Sequence, residues 1–144
     1  MNISFQYKFL FLLIIPFLSY SQITNTIVKA KIEIEEIEGN VKITGTAENL
    51  SDIVQSLSYQ LSVIKNNNES GNQSNNKQEG FFTLNRSENK NLSTTQVNIV
   101  RGDEIIILLL FYNENKELIG KDRVVLGDEK KKMKQQFFHP MDLN

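Results

Sequence analysis

Once past its first two dozen residues, the chain alternates apolar and polar positions in short runs. Val28, Ala30, Ile32 and Ile34 fall on one side while Lys29, Lys31, Glu33 and Glu35 fall on the other, the period of two expected of a half-buried strand. Glu38-Gly39-Asn40 marks a turn. Val41, Ile43, Gly45 and Ala47 then resume an inward face with Lys42, Thr44, Thr46 and Glu48 outward, so the two runs form a hairpin. After a connector at 49–55, Leu57, Tyr59, Leu61 and Val63 alternate with Ser58, Gln60 and Ser62 to give a third strand. Residues 66–77, rich in Asn, Ser and Gln, read as a long loop, and 80–84 as a short fourth strand.

Residues 85–91 are polar and turn-like, and 92–100 predict a fifth strand with Val97 and Ile99 as its clearest apolar positions. Arg101-Gly102-Asp103 supplies the next turn. Residues 105–112 are unbroken apolar sequence, which fits a central strand buried on both faces and retains a helix-like ambiguity. Its β-branched start, the Gly-Asp before it and Asn113-Glu114-Asn115 after it favour strand. Residues 118–126 make a seventh, with Gly120 in its interior as a bulge or close-approach position. Seven short strands with turn signals between them and no helical period predict an all-β fold, a seven-stranded antiparallel immunoglobulin-like β-sandwich. The Cys and Trp hallmarks of antibody domains are missing, since the chain has neither residue type.

The N-terminus changes the compartment. Residues 1–21 carry one positive charge at Lys8, an apolar run over 9–18 interrupted by Pro16, and small residues Ser19 and Ser21 around Tyr20, the layout of a cleaved secretory signal peptide. The apolar run is about half the length a membrane-spanning helix needs, so no stable membrane insertion is expected after cleavage. No cysteine follows the run, which excludes a lipoprotein anchor. The expected division is a signal peptide over 1–21, one sandwich domain over 22–126 and a charged tail over 127–144. The Ser-Tyr-Ser-Gln signal end reads as bacterial, and the mature protein as periplasmic or secreted.

Composition then removes whole classes of function. With 16 basic and 17 acidic residues the net charge is −1, and losing Lys8 with the signal makes it more negative. A nucleic-acid binder would need a basic stripe. With no cysteine, disulfides, thiolate metal sites and redox chemistry are absent together, so a packed core must supply the stability.

The candidates for chemistry are few. The single histidine, His139, stands beside Pro140 with no Ser or Cys arrangement that could make a triad. Glu33, Glu35, Glu36 and Glu38 are the densest acidic group, and the alternation puts Glu33 and Glu35 on an open strand face among lysines, an ion-paired surface rather than a metal site. Arg101-Gly102-Asp103 spells an integrin-type tripeptide that a hairpin turn explains fully. Asn49-Leu50-Ser51, Asn68-Glu69-Ser70, Asn72-Gln73-Ser74, Asn85-Arg86-Ser87 and Asn91-Leu92-Ser93 match the N-glycosylation pattern, as chance provides in an Asn-rich chain. The tail carries a Lys-rich run, Asp128 to Lys134, then an apolar knot, Phe137-Phe138-His139-Pro140-Met141. It is a solvated segment, a partner-docking tail, or an appendage that folds back through Phe137 and Phe138. No enzyme, metal or cofactor is expected.

One set of motifs goes further. Leu57-x-Tyr59-x-Leu61, Lys65, Ser70-Gly71-Asn72-x-Ser74, Gln78-x-Gly80-x-Phe82, Leu92-Ser93, Val97 and the Gly102-Asp103 turn before an apolar strand resemble the CsgH-type domain of curli biogenesis, over roughly residues 41–126. The resemblance implies an exported, non-catalytic β-sandwich chaperone that keeps curli-like amyloid subunits from polymerising before secretion. Related CsgC-type proteins carry a Cys-x-Cys pair, and its absence here excludes a redox role by analogy. Because an amyloid subunit grows by adding strands to exposed edges, the outward charges Lys29, Lys31, Glu33 and Glu35 are candidate client contacts, and also serve ordinary solubility. The expected partner is a curli-like amyloid subunit, with no nucleic acid, and the expected state is a monomer. The alternative is a secreted structural or adhesive sandwich module of a surface assembly.

Overall fold

A computed structural model describes residues 23–127. Seven strands follow in order: β1 (Val28–Ile37), β2 (Asn40–Asn49), β3 (Gln55–Asn67), β4 (Gln73–Leu84), β5 (Asn89–Asn98), β6 (Asp103–Tyr112) and β7 (Leu118–Gly127). All pair antiparallel, in a three-stranded sheet ordered β1-β2-β5 and a four-stranded sheet ordered β4-β3-β6-β7. This is the predicted sandwich. The expected signal peptide and all of the tail beyond Gly127, His139, Phe137 and Phe138 included, lie outside the described residues.

Local chemistry accounts for the register. Glu38 and Gly39 both have positive φ, 34° and 79°, which a two-residue hairpin connection requires. They hold Ile37 opposite Asn40 and so set Ala30 opposite Ala47 and Ile32 opposite Gly45. The inward faces then meet between the sheets: Val28, Ala30 and Ile32 from β1, Val41, Ile43 and Ala47 from β2, Leu57, Leu61 and Val63 from β3, and Ile105, Ile107, Leu109 and Phe111 from β6 are buried. Gly120 lies against Phe111, where an added Cβ would come within 2.7 Å of the ring, and the β6–β7 register shifts beside it, between Phe111 and Tyr112. Both expected meanings of that glycine apply.

Two expectations are corrected. The unbroken apolar run of β6 is central, between β3 and β7, but it is not buried on both faces. Ile105, Ile107, Leu109 and Phe111 are fully buried, whereas Ile106, Leu108, Leu110 and Tyr112 are only half-buried on the outer face of the sheet. The long loop expected over 66–77 is also mostly strand. β3 continues to Asn67, β4 begins at Gln73, and only 68–72 connect them. The reason is positional: β4 is an edge strand whose side chains are mostly exposed, so its backbone ladder to β3 satisfies it with no apolar alternation for a sequence to show.

Candidate interaction surface

The sandwich has two long sides, each bordered by one edge strand of each sheet. On one side β1 faces β7, and side chains join them. Asn25, held at φ 61°, donates its backbone N–H to the Ile119 carbonyl (2.9 Å). Its Nδ2 donates to the Lys121 carbonyl (2.8 Å), and its Oδ1 accepts from the N–H of Lys121 (3.1 Å) and of Ala30 (3.1 Å). The side-chain amide thus stands in for one residue of a missing strand. Asp122 on β7 extends the closure, its Oδ2 accepting the N–H of Ile32 (2.7 Å).

On the other side β4 faces β5, and among the described residues the hydrogen bonds that tie it lie at its ends, one from β5 to β4 and one from β3 to β5. Lys90 Nζ donates to the Thr83 carbonyl (2.8 Å). Lys65 Nζ donates to the carbonyl and the Oδ1 of Asn98, both at 2.9 Å. The Thr83 carbonyl points away from β3, and Asn67 pairs with Asn72 at the hairpin end (N–H to O, 2.8 Å). The alternation of an antiparallel ladder then turns the backbone groups of Asn75, Lys77, Glu79 and Phe81 away from β3 as well. Among the described residues no hydrogen bond reaches them. Gln78 Oε1 on β4 and Ser93 Oγ on β5, buried on this same side, also have no hydrogen-bond partner.

Gln78-x-Gly80-x-Phe82 forms the inward face of this edge. Tyr59 lies across Gly80, where an added Cβ would approach the ring to 2.9 Å. Phe82 meets Tyr59 and Phe111 edge-on, with centroids 6.0 and 5.3 Å apart. On the outward face Phe81 is 93 % exposed. It shares a row with Ser58 and Tyr112 and borders a shallow open depression that also includes Gln60 and Lys116. Lys77 and Glu79 pair with each other at 2.8 Å.

The end of the open side is held by a polar knot. Lys65 and Asp103 meet at 3.0 Å, the lysine side chain 19 % and the aspartate 1 % exposed. Asp103 also accepts the Val100 N–H (2.8 Å) and Asn67 Nδ2 (2.8 Å), while Asn67 Oδ1 accepts the N–H of Glu69 and Ser70. Burial pushes the Asp103 carboxyl up. The bonds from Val100, Asn67 and Lys65 and the lysine charge outweigh it, so the carboxyl stays below its ordinary value. The aspartate of the Arg-Gly-Asp tripeptide is thus spent inside the fold, out of reach of a receptor. Asn49 is likewise 2 % exposed and bonded to the carbonyls of Ile53 and Asn85 and to Ser51, so its sequon offers no free amide.

Lys29, Lys31, Glu33 and Glu35 are all exposed on the outer face of β1. Lys31 pairs with Glu33 (3.8 Å), and Glu35 with Lys42 of β2 (3.6 Å). The four share a face but converge on no pocket, and the β1 backbone beside them is closed at Ala30 and Ile32. Among the described residues no three His, Cys, Asp or Glu side chains group as metal ligands. Sequence reasoning missed the open β4 edge and the Asn25 closure. Only the Gln-x-Gly-x-Phe motif signalled the first, and nothing local signalled the second.

No family model matches the chain. No curated protein matches it either. Among solved structures it is similar to CsgH of R. palustris, with TM-score 0.51 and 19 % identity over 72 % of this chain and 94 % of that one. It is similar to the E. coli curli protein CsgC, with TM-score 0.53 and 16 % identity over 67 % of this chain and 96 % of that one. A Bacteroides uniformis beta-glucuronidase matches with TM-score 0.51 and 10 % identity, over 70 % of this chain but 14 % of the enzyme. At these identities the likeness is one of fold, and it is a curli-like fold.

Proposed function

We propose that this chain is a non-catalytic exported chaperone of the curli type, which holds back premature amyloid polymerisation of a curli-like subunit. The observation that carries the reading is that the sandwich matches CsgH and the curli protein CsgC over nearly their whole length, whereas it corresponds to only 14 % of the glucuronidase chain. The physical task needs no catalytic group. A soluble sandwich that engages unpaired strands slows growth at low stoichiometry, provided its own edges resist incorporation. The β1/β7 side supplies that resistance at one edge of each sheet. Lys29, Lys31, Glu33 and Glu35 are then surface charges for weak electrostatic contact with the client, by side chain alone.

The test is thioflavin fluorescence of a purified curlin-like subunit with the mature protein added below stoichiometry. The expected result is a lag phase lengthened several-fold. An unaltered lag at equimolar protein sinks the reading and leaves the secreted structural or adhesive module in its place.

A further inference from the structure

We propose that β4 is a docking edge, onto which an extended, uncharged, Asn/Gln-rich segment of a partner polypeptide adds as a further strand of the four-stranded sheet. The proposal deepens the chaperone reading and rests on it for the identity of the client, but the edge makes its own physical claim. Natural sheets blunt exposed edges with bulges, Pro, inward-pointing charges or covering side chains. β1 and β7 are covered at Ala30, Ile32 and Lys121 by Asn25 and Asp122, and β5 carries a register shift in its pairing with β2. β4 runs unbulged against β3 over 12 residues. Its one lysine, Lys77, is neutralised by Glu79 at 2.8 Å.

The side chains of β4 say what would add to it. In a ladder each residue lies beside its counterpart on the neighbouring strand, on the same face. Gln73 and Asn75 on the outer face, and Asn76 and Gln78 on the inner, offer carboxamides for the amide ladders that such stacks form. With Lys77 and Glu79 paired, a strongly charged strand gains nothing here. Phe81, 93 % exposed at the end of the row, supplies an apolar anchor.

A second copy of this chain fits less well. Antiparallel pairing of two β4 edges about Gln78 sets each Phe81 against Asn75 of the other copy. Pairing about Phe81 lets only Glu79, Phe81 and Thr83 face each other, and the Thr83 carbonyl is already taken by Lys90.

The test uses the full chain and an end-blocked ten-residue peptide of alternating Gln and Asn with one central Phe. Amide exchange with the peptide bound is expected to slow at least 10-fold at Asn75, Lys77, Glu79 and Phe81 and to stay unchanged at Ala30 and Ile32. Asn75→Pro removes an edge-facing N–H without touching the ladder to β3. It is expected to weaken peptide binding at least 10-fold with a native spectrum, while Asn75→Ala, which keeps the N–H, binds within about 3-fold of the parent. Absence of peptide binding, protection on another strand, or full binding by a folded Asn75→Pro protein overturns the proposal. Protection of the same four amides without peptide, together with a doubled mass, overturns it in favour of self-association. If the parent protein delays fibril growth and Asn75→Pro does so equally, the edge assignment fails while the chaperone reading stands. If the peptide docks on β4 but fibril growth is unaffected, the reverse holds.

Discussion

Along the β1/β7 side, two edge strands turn unpaired backbone toward each other, and Asn25 and Asp122 fill the gap with hydrogen bonds of 2.7 to 3.1 Å. Along the β4/β5 side the same gap is tied, among the described residues, only by Lys90 and Lys65 at its two ends, and the backbone groups of Asn75, Lys77, Glu79 and Phe81 are left facing outward. Both sides carry charged residues, so charge does not distinguish them. The difference lies in whether a side chain reaches the backbone edge itself. A sheet edge is defined by its N–H and C=O groups, and only a group that bonds to them closes it. The exposed charges of β1 therefore decorate an edge whose N–H groups at Ala30 and Ile32 are already bonded, while among the described residues the neutral β4 edge is the accessible one.

The largest expected effect comes from opening the closed side. Asn25→Ala combined with Asp122→Ala removes the bonds to Ala30, Lys121 and Ile32, and at roughly 1 kcal/mol for each neutral bond and up to 2 for the carboxylate should lower urea stability by about 4 kcal/mol. Exchange at Ala30, Ile32 and Lys121 should accelerate alongside. A loss below about 1 kcal/mol would show that the contact between the two edges holds without the side chains.

Next in size is Asp103→Asn, which leaves Lys65 its two bonds to Asn98 but removes its buried counter-charge and should cost about 3 kcal/mol at neutral pH. Because the Asp103 carboxyl is held below its ordinary value in the folded state, its contribution is fully present above about pH 4, the unfolded value, and is lost as pH falls through the folded value. Parent and variant stabilities, measured by denaturant titration at stepped pH, should therefore converge on acidification. A gap that widened toward low pH would contradict this sign.

Smaller again, Asn75→Pro on the open edge should cost less than about 1 kcal/mol, since its N–H has no partner to lose. A cost of several kcal/mol in the same urea titration would mean that the edge is covered. The least effect is expected from Lys31→Ala with Glu33→Ala, an exposed pair whose loss should change stability by no more than about 0.5 kcal/mol.

The strands with one face on the core were readable because burial imposes a period of two. The inward positions 28, 30 and 32 on β1, 41, 43 and 47 on β2, and 57, 61 and 63 on β3 all came from alternation, and all are buried. Gln73 to Lys77 show no apolar alternation because β4 has a partner strand on one side only and this stretch is exposed, so burial imposes no period there. The β6 run does not reveal its half-buried outer face, because Ile106, Leu108 and Leu110 are apolar without being covered by any described strand. The candidate charges Lys29, Lys31, Glu33 and Glu35 were placed on the correct outer face, but alternation says nothing of the backbone edge beside them.

The all-β sandwich, a β1–β2 hairpin turning at Glu38-Gly39-Asn40 and a core built on alternating aliphatics were all legible in the sequence, because period, turn chemistry and burial are local or nearly local properties. Which edges are shut was decided by tertiary structure alone. Asn25 meets Lys121 across 96 residues of chain and Ile32 meets Asp122 across 90, and only the folding of one sheet over the other brings a side chain to a backbone group that distant.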